Sequence, residues 1–168
     1  MSIAAILFSA GMLAAALSDL SSRRIPNWMN LVILFTGLVT QTVSGGLVSL
    51  GHGLVGAGVG LILLLPLFKV RWIGGGDVKL ACAMGAWLGA KYVFWATAIG
   101  MAGGGILAAV IALSGGAALR QEIRVNLANA ALSRSLPTAP RRAQGQLVPV
   151  AVALGGAAIG VFLARGGV

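Results

Sequence analysis

Two carboxylates stand out in a sequence that is otherwise almost free of acidic residues. Among 168 residues there are three acidic side chains, and the two aspartates are Asp19 and Asp77. Asp19 closes an apolar stretch that begins near the N-terminus, and Asp77 follows three glycines at residues 74–76. Carboxylates are costly near a bilayer and are usually retained there for function. An ionised aspartate can take a proton from water while a protonated partner polarises a carbonyl group, so the pair is a candidate site of peptide hydrolysis.

Simpler roles are also open to each aspartate. Asp77 can cap a helix, since aspartate is favoured at N-caps, and Asp19 can pair weakly with Arg23 or Arg24. Lys79 follows Asp77 by two residues, where it would favour the ionised carboxylate unless it faces lipid headgroups. The sequence does not assign the acid and the base within the pair.

The composition is that of an integral membrane protein. Hydrophobic residues make up 58% of the chain and charged residues 9%, against about 25% charged residues in a soluble domain. The net charge of +9 comes from basic residues that flank apolar segments, so we expect contact with anionic membrane lipids and no nucleic acid partner. Cys82 is the one cysteine, which excludes a disulfide framework and a Cys-x-x-Cys metal site. The N-terminus lacks a basic region and predicts a retained membrane helix.

The apolar segments predict an all-α polytopic membrane protein, a single domain over residues 1–168 with about six transmembrane helices. A crossing needs about 20 apolar residues. The fourth segment is shorter and is predicted to be compact or partly re-entrant. The predicted segments run from Ile3 to Ser18, Trp28 to about Val43, Leu47 to Phe68, Val78 to about Gly89, Tyr92 to Leu113 and Leu147 to Leu163.

The distribution of basic residues predicts the orientation. Nine lie in the first, third and fifth connections, and two lie in the other connections and the tail. The nine are Arg23, Arg24, Lys69, Arg71, Arg120, Arg124, Arg134, Arg141 and Arg142, and the two are Lys91 and Arg165. The positive-inside rule therefore puts the odd connections in the cytoplasm and both termini outside. Asp19 and Asp77 then reach the same cytoplasmic face.

Other features have ordinary interpretations. Glycines within residues 53–60 and 100–104 predict close helix packing. Apolar residues at four-residue spacing within residues 119–131 predict an interfacial helix in the basic fifth connection, where Glu122 also lies. His52 is isolated and forms no triad or metal site. The tryptophans lie near predicted helix ends, as an interfacial belt would; they are Trp28, Trp72, Trp87 and Trp95.

Two sequence elements resemble a known family. Residues 74–77, Gly-Gly-Gly-Asp, fit the Gly-x-Gly-Asp signature of membrane aspartic proteases. With the following Val-Lys-Leu they resemble the form found in type IV prepilin peptidases. The stretch at residues 19–27, which ends in Arg-Arg-Ile-Pro-Asn, is similar to that family's first aspartate element. The chain is similar to the short Flp, or tight-adherence, pilus members over essentially its whole length.

The resemblance implies that Asp19 and Asp77 are the catalytic pair of an aspartic endopeptidase that uses no metal and no cofactor. Its substrates would be pilin precursors, cut at the cytoplasmic face of the bacterial inner membrane after a glycine that precedes a hydrophobic helix. Larger members carry a zinc-binding cysteine domain that accompanies N-methylation, which we do not expect here. The residues expected to shape the site are Gly74, Gly76, Lys79, Pro26 and Asn27.

Two other functions are consistent with these residues. A small transporter or channel subunit would use membrane aspartates to move protons or cations, although such acids more often lie at the bilayer midplane in interrupted helices. A noncatalytic scaffold for an envelope assembly would need packing glycines and no chemistry. Loss of precursor cleavage in both Asp19→Asn and Asp77→Asn separates the protease from these alternatives.

Overall fold

The computed structural model describes residues 2–22, 25–70, 72–114, 125 and 150–166, and these residues form helices and short turns, with no strand. The all-α prediction is therefore confirmed for this part of the chain. Glu122, most of the predicted interfacial helix and several of the basic residues lie outside it. The helices are α1 (Ile3–Ser22), α2 (Asn27–Lys69), α3 (Gly75–Ser114) and α4 (Val150–Ala164).

Helix α2 folds back on itself at two glycines. Gly45 and Gly46 have non-helical backbone angles, and Gly46 has a φ of 65°, which glycine adopts without the steric penalty of a Cβ. A Cβ built on Gly53 would lie 3.3 Å from Leu38 Cδ2 and 3.4 Å from Gln41 Cγ. Residues twelve apart in a continuous helix would be about 18 Å apart, so the two arms pack side by side. The break falls where the sequence predicts a turn.

Helix α3 reverses in the same way at a single residue, Gly89, which has a φ of 75° and a ψ of 172°. Arg165, just after α4, contacts both sides of this break. Its Nη1 donates to the carbonyl oxygen of Leu88 at 3.0 Å, and its guanidinium lies 5.1 Å from the centroid of the Tyr92 ring. The described residues therefore form six helical stretches in the predicted order.

Two of the helices, α1 and α2, are long and apolar enough to cross a membrane, judged by length and composition. Many of their large apolar side chains are exposed; Ile3 is 78% exposed and Val43 is 82% exposed. A soluble protein rarely exposes apolar surface on this scale, whereas lipid covers it in a membrane protein. These observations agree with the predicted membrane location.

The core packs around one tryptophan, which corrects the predicted interfacial belt. Trp87 is buried, and its ring lies 5.4 Å from Phe8 of α1 and 6.3 Å from Phe162 of α4, measured between centroids. Its indole nitrogen donates to the carbonyl oxygen of Ile33 at 2.8 Å. A buried indole N–H needs such an acceptor, which the buried core of α2 supplies. The remaining tryptophans are exposed as the belt predicts; these are Trp28, Trp72 and Trp95.

Glycines allow the second arm of α2 to touch the first arm of α3 backbone to backbone. A Cβ added at Gly56 would collide with the carbonyl oxygen of Gly85, and one added at Gly60 would collide with that of Ala81. The predicted role in helix packing is confirmed at these positions. Gly58 differs, because a Cβ there would meet nothing within 4 Å. It lies on the open face of the same helix.

Candidate active site

Asp19 lies inside the last turns of α1, since the helix continues to Ser22. The prediction that the helix ends at Ser18 is therefore one turn too short. The side chain is half-buried. The helix keeps its form through Asp19 because residues 3–17 are apolar and rich in alanine and leucine, which are strong helix formers.

Asp77 is fixed in the first turn of α3 by a reciprocal pair of hydrogen bonds. Its Oδ2 accepts the backbone N–H of Gly74 at 3.2 Å, and its own N–H donates to the carbonyl oxygen of Gly74 at 3.2 Å. Because α3 begins at Gly75, Gly74 occupies the N-cap position and Asp77 the third helical position. An acid there reaches back as in a capping box. Asp77 therefore does cap the helix, although it is not the N-cap residue.

The three glycines before Asp77 are not needed for a left-handed backbone. Among the described glycines, a positive φ occurs at Gly46, Gly89 and Gly166. Within the motif, the closest packing is at Gly75, where a Cβ would lie 3.3 Å from the Phe68 ring. The sequence does not predict this contact, because nothing in it marks which apolar residue covers the glycine turn.

Gly74 and Gly76 have more room. A Cβ on Gly76 would lie 3.5 Å from Ile25 Cβ, and a Cβ on Gly74 would lie 3.4 Å from Asp77 Oδ2. Both distances are ordinary van der Waals contacts, so the fold itself accommodates a methyl group at either position. Any requirement for glycine there must come from what approaches the turn. Ile25 is buried and connects the end of α1 to this turn.

The structure brings the two aspartates within electrostatic range of each other. Asp77 stands at the start of α3, ahead of the predicted fourth crossing, and its pKa is raised from 3.8 to about 6. Burial is the largest cause, because it disfavours the charged form, and the charge of Asp19 adds to it. The hydrogen bond from the Gly74 N–H acts in the opposite direction. Fifty-eight residues of sequence separation are thus closed by the fold of α1, α2 and α3.

Lys79 does not direct its charge at Asp77. Its Nζ donates to Oδ1 of Asn27 at 2.7 Å, across 52 residues of sequence. Asn27 is the first residue of α2, and Pro26 precedes it with a φ of −59°, an angle that suits a helix start. The carbonyl oxygen of Pro26 accepts the N–H of Met29 at 3.1 Å. The segment that contains Asp77 is thus in direct contact with the Ile-Pro-Asn segment at residues 25–27.

This arrangement suits acid–base chemistry on a water molecule. Two neighbouring carboxyl groups cannot easily both ionise, and the charge of Asp19 accordingly helps to keep Asp77 protonated. Among the residues that the structure describes, no three His, Cys, Asp or Glu side chains are grouped so that they could hold a metal ion. His52 lies in the second arm of α2 and is exposed.

An all-helical membrane protein with a carboxyl pair at one end of its helices is the class that this fold and site define. The chain belongs to the type IV leader peptidase family, whose model matches residues 6–113. The match includes both aspartates, and it confirms the resemblance to prepilin peptidases. The narrower likeness to the short Flp-type members stays a prediction. No solved structure matches the chain.

Several curated proteins are similar to part of the chain. The prepilin leader peptidase/N-methyltransferase of Aeromonas hydrophila is 37% identical over 94 residues, which cover 52% of this chain and 32% of the relative. The enzyme with the same name from Neisseria gonorrhoeae is 32% identical over 91 residues, covering 50% and 32%. The type 4 prepilin-like proteins leader peptide-processing enzyme of Escherichia coli O78:H11 is 30% identical over 97 residues, covering 52% and 35%. The match therefore spans about a third of the length of each relative.

Proposed function

We propose that this protein is a membrane aspartic endopeptidase that removes the leader from pilin precursors, with Asp19 and Asp77 activating water. The observation that carries the proposal is that the fold brings the sequence's two aspartates together, where burial first and the charge of Asp19 second raise the pKa of Asp77 to about 6. A carboxyl group with a pKa near the working pH is suited to exchange protons during catalysis. The pilin substrate comes from the relatives, whose names describe processing of prepilin leaders.

In this proposal the protein crosses the bacterial inner membrane about six times, with both termini outside and both aspartates at the cytoplasmic face. The six helical stretches supply enough passes, and the breaks at residues 45–46 and 89 are the outer turns. The N-terminal leader of the precursor would lie in the cytoplasm, and its hydrophobic helix would lie in the membrane beside the carboxyl pair. No organic cofactor, metal or covalent intermediate takes part.

The leading alternative is a transporter or channel subunit that moves protons or cations. Interrupted helices in transporters commonly bring their broken ends to a midplane binding site. Here α3 is interrupted at Gly89, twelve residues after Asp77, which is about 18 Å along a helix. The aspartates are therefore at the other end of the helix from its break, which favours the protease.

Co-expression of the protein with a pilin precursor in a cell that lacks other prepilin peptidases tests the proposal. Wild-type protein should shorten the precursor, and Asp19→Asn and Asp77→Asn should each leave it uncut at normal protein levels. Glu122→Gln, which removes the third acidic residue, is the matched control and should retain cleavage. Full processing by either aspartate variant would remove the proposed mechanism, and inhibition by EDTA would contradict its independence from metal.

A further inference from the structure

A hydrogen bond between Asn27 and Lys79 links α2 to α3 near the two aspartates. It joins the first residue of α2 to the fifth residue of α3 at 2.7 Å. Asn27 follows Asp19 by eight residues, and Lys79 follows Asp77 by two. A second contact lies beside it. A Cβ built on Gly76 would be 3.5 Å from Ile25 Cβ, so Ile25 packs against this glycine. Each aspartate-bearing segment is thus tied to the other by one polar and one apolar contact.

Helix geometry explains why Lys79 is available for this contact. Residues two apart on a helix point to different faces, so the Asp77 carboxylate turns back to Gly74 while the Lys79 side chain reaches α2. The acceptor is a neutral amide oxygen, and a hydrogen bond from an ammonium to it is charge-assisted. Both side chains are exposed, and an exposed contact of this kind contributes little to stability by itself.

The position of the Lys79 charge matters for the carboxyl pair. Asp19 faces Asp77 from α1, Lys79 lies on α3 itself, and Lys69 ends α2 one residue after Phe68, which packs on Gly75. A lysine stem has four carbons and flexible rotamers, so a released Lys79 could swing toward Asp77. An ammonium within about 4–6 Å would favour the ionised carboxylate. Asn27 gives that ammonium another partner.

We propose that Asn27 and Lys79 form a positioning pair, which sets the spacing of the two aspartate-bearing segments and holds the Lys79 ammonium away from the Asp77 carboxyl group. The inference rests on the proposed function, because it assigns the pair a role in maintaining the protonated state that the reaction needs. Neither residue is assigned contact with the reacting atoms.

The test uses the full chain in detergent or liposomes and measures two quantities. The first is the rate of pilin precursor cleavage. The second is the pH midpoint for labelling of Asp77 by a hydrophobic carbodiimide, which reacts with protonated carboxyl groups, read by mass spectrometry. The variants are Asn27→Leu, Lys79→Met and the double variant, with Asn27→Asp as the conservative replacement. Lys69→Met removes an exposed lysine at the end of α2 and controls for loss of charge alone.

We expect Asn27→Leu and Lys79→Met each to slow cleavage about tenfold, and we expect the double variant to be no slower than either. Asn27→Leu should lower the labelling midpoint of Asp77 by about one pH unit. Lys79→Met and the double variant should leave the midpoint at the wild-type value, since the released charge is then absent. Asn27→Asp should retain cleavage, because it still offers Lys79 an oxygen, and Lys69→Met should resemble wild type.

The inference is overturned if the effects of Asn27→Leu and Lys79→Met on cleavage simply multiply, or if Asn27→Leu leaves the labelling midpoint unchanged. A variant that fails to accumulate is replaced by Asn27→Ala or Lys79→Gln, which are read by the same criteria. The labelling measurement needs no turnover. It therefore decides on the positioning pair even if the wild-type protein cleaves no pilin, a result that would count against the proposed function alone.

Discussion

The indole nitrogen of Trp87 donates to the carbonyl oxygen of Ile33 at 2.8 Å within the buried core. This bond joins the first arm of α3 to the first arm of α2, and Gln41 supports it by donating to the carbonyl oxygen of Trp87 at 3.1 Å. A Cβ on Gly37 would lie 2.6 Å from the indole ring, so the backbone of α2 is as close to the tryptophan as it can be. These contacts hold the arm of α2 that begins at Asn27 against the arm of α3 that begins at the Asp77 turn.

Replacing Trp87 with phenylalanine should destabilise the protein while leaving an aromatic ring in the core. The loss of the N–H bond and of part of the ring should cost about 1–3 kcal/mol of unfolding free energy. The measurement is the thermal midpoint in detergent. Trp95→Phe is the matched control, because Trp95 is 54% exposed, and equal midpoints for the two variants would show that the buried bond contributes nothing.

Gly56→Val should prevent the second arm of α2 from packing on α3. Its side chain would enter the space of the Gly85 carbonyl group, and backbone cannot move aside without separating the helices. We expect little folded protein, measured as the monodisperse fraction on size exclusion. Gly58→Val is the matched control, since space is open there. Its failure to fold would mean that any loss of glycine from this helix is harmful, whatever the packing.

The raised pKa of Asp77 predicts that Asp77→Asn is more stable than wild type at neutral pH. The pKa of this carboxyl group is 3.8 in the unfolded protein and about 6 in the folded protein. Its ionisation therefore lowers the free energy of unfolding. The stability is therefore fully present below about pH 4 and is lost as pH rises through about 6. Asparagine cannot ionise, so the variant should gain up to about 3 kcal/mol near pH 7.5. Chemical denaturation at several pH values should show the gain disappear near pH 4.

Asp19→Asn should lower the pKa of Asp77 without returning it to its ordinary value. The charge of Asp19 contributes to the rise, but burial is the larger cause and is kept in the variant. A pH titration of the infrared band of protonated carboxyl groups, with Asp77→Asn to identify the signal, measures the shift. An unchanged titration would show that the two carboxyl groups do not interact, and the dyad would lose its support.

Much of this architecture could be predicted because its determinants are local. Apolar runs specify the helices, and glycines specify the turns; the break at Gly46 needs a positive φ that few other residues adopt. Counting the helices between Asp19 and Asp77 predicts that both reach the same end of the helices. That count needed no knowledge of side-chain packing.

The contacts that shape the site could not be predicted in the same way. Trp87 lies near a helix end, as an interfacial residue does, and the contacts that direct it inward come from Phe8 and Ile33, distant in sequence. The sequence allows the Lys79 side chain to face either Asp77 or the lipid headgroups. Its hydrogen bond to Asn27 depends on how α2 and α3 are rotated about their axes. Such rotations are set by packing across the whole core, which a single sequence does not reveal.

The two reversals at one end of the molecule use very little chain, namely residues 45–46 and residue 89. At the opposite end, α1 leads into α2 and α2 leads into α3, through residues 23–26 and 70–74 of the sequence. Extra residues inserted at either reversal would therefore have no loop to occupy, and they would push packed helical arms apart. The end of the molecule away from the aspartates thus leaves the chain little freedom to change in length.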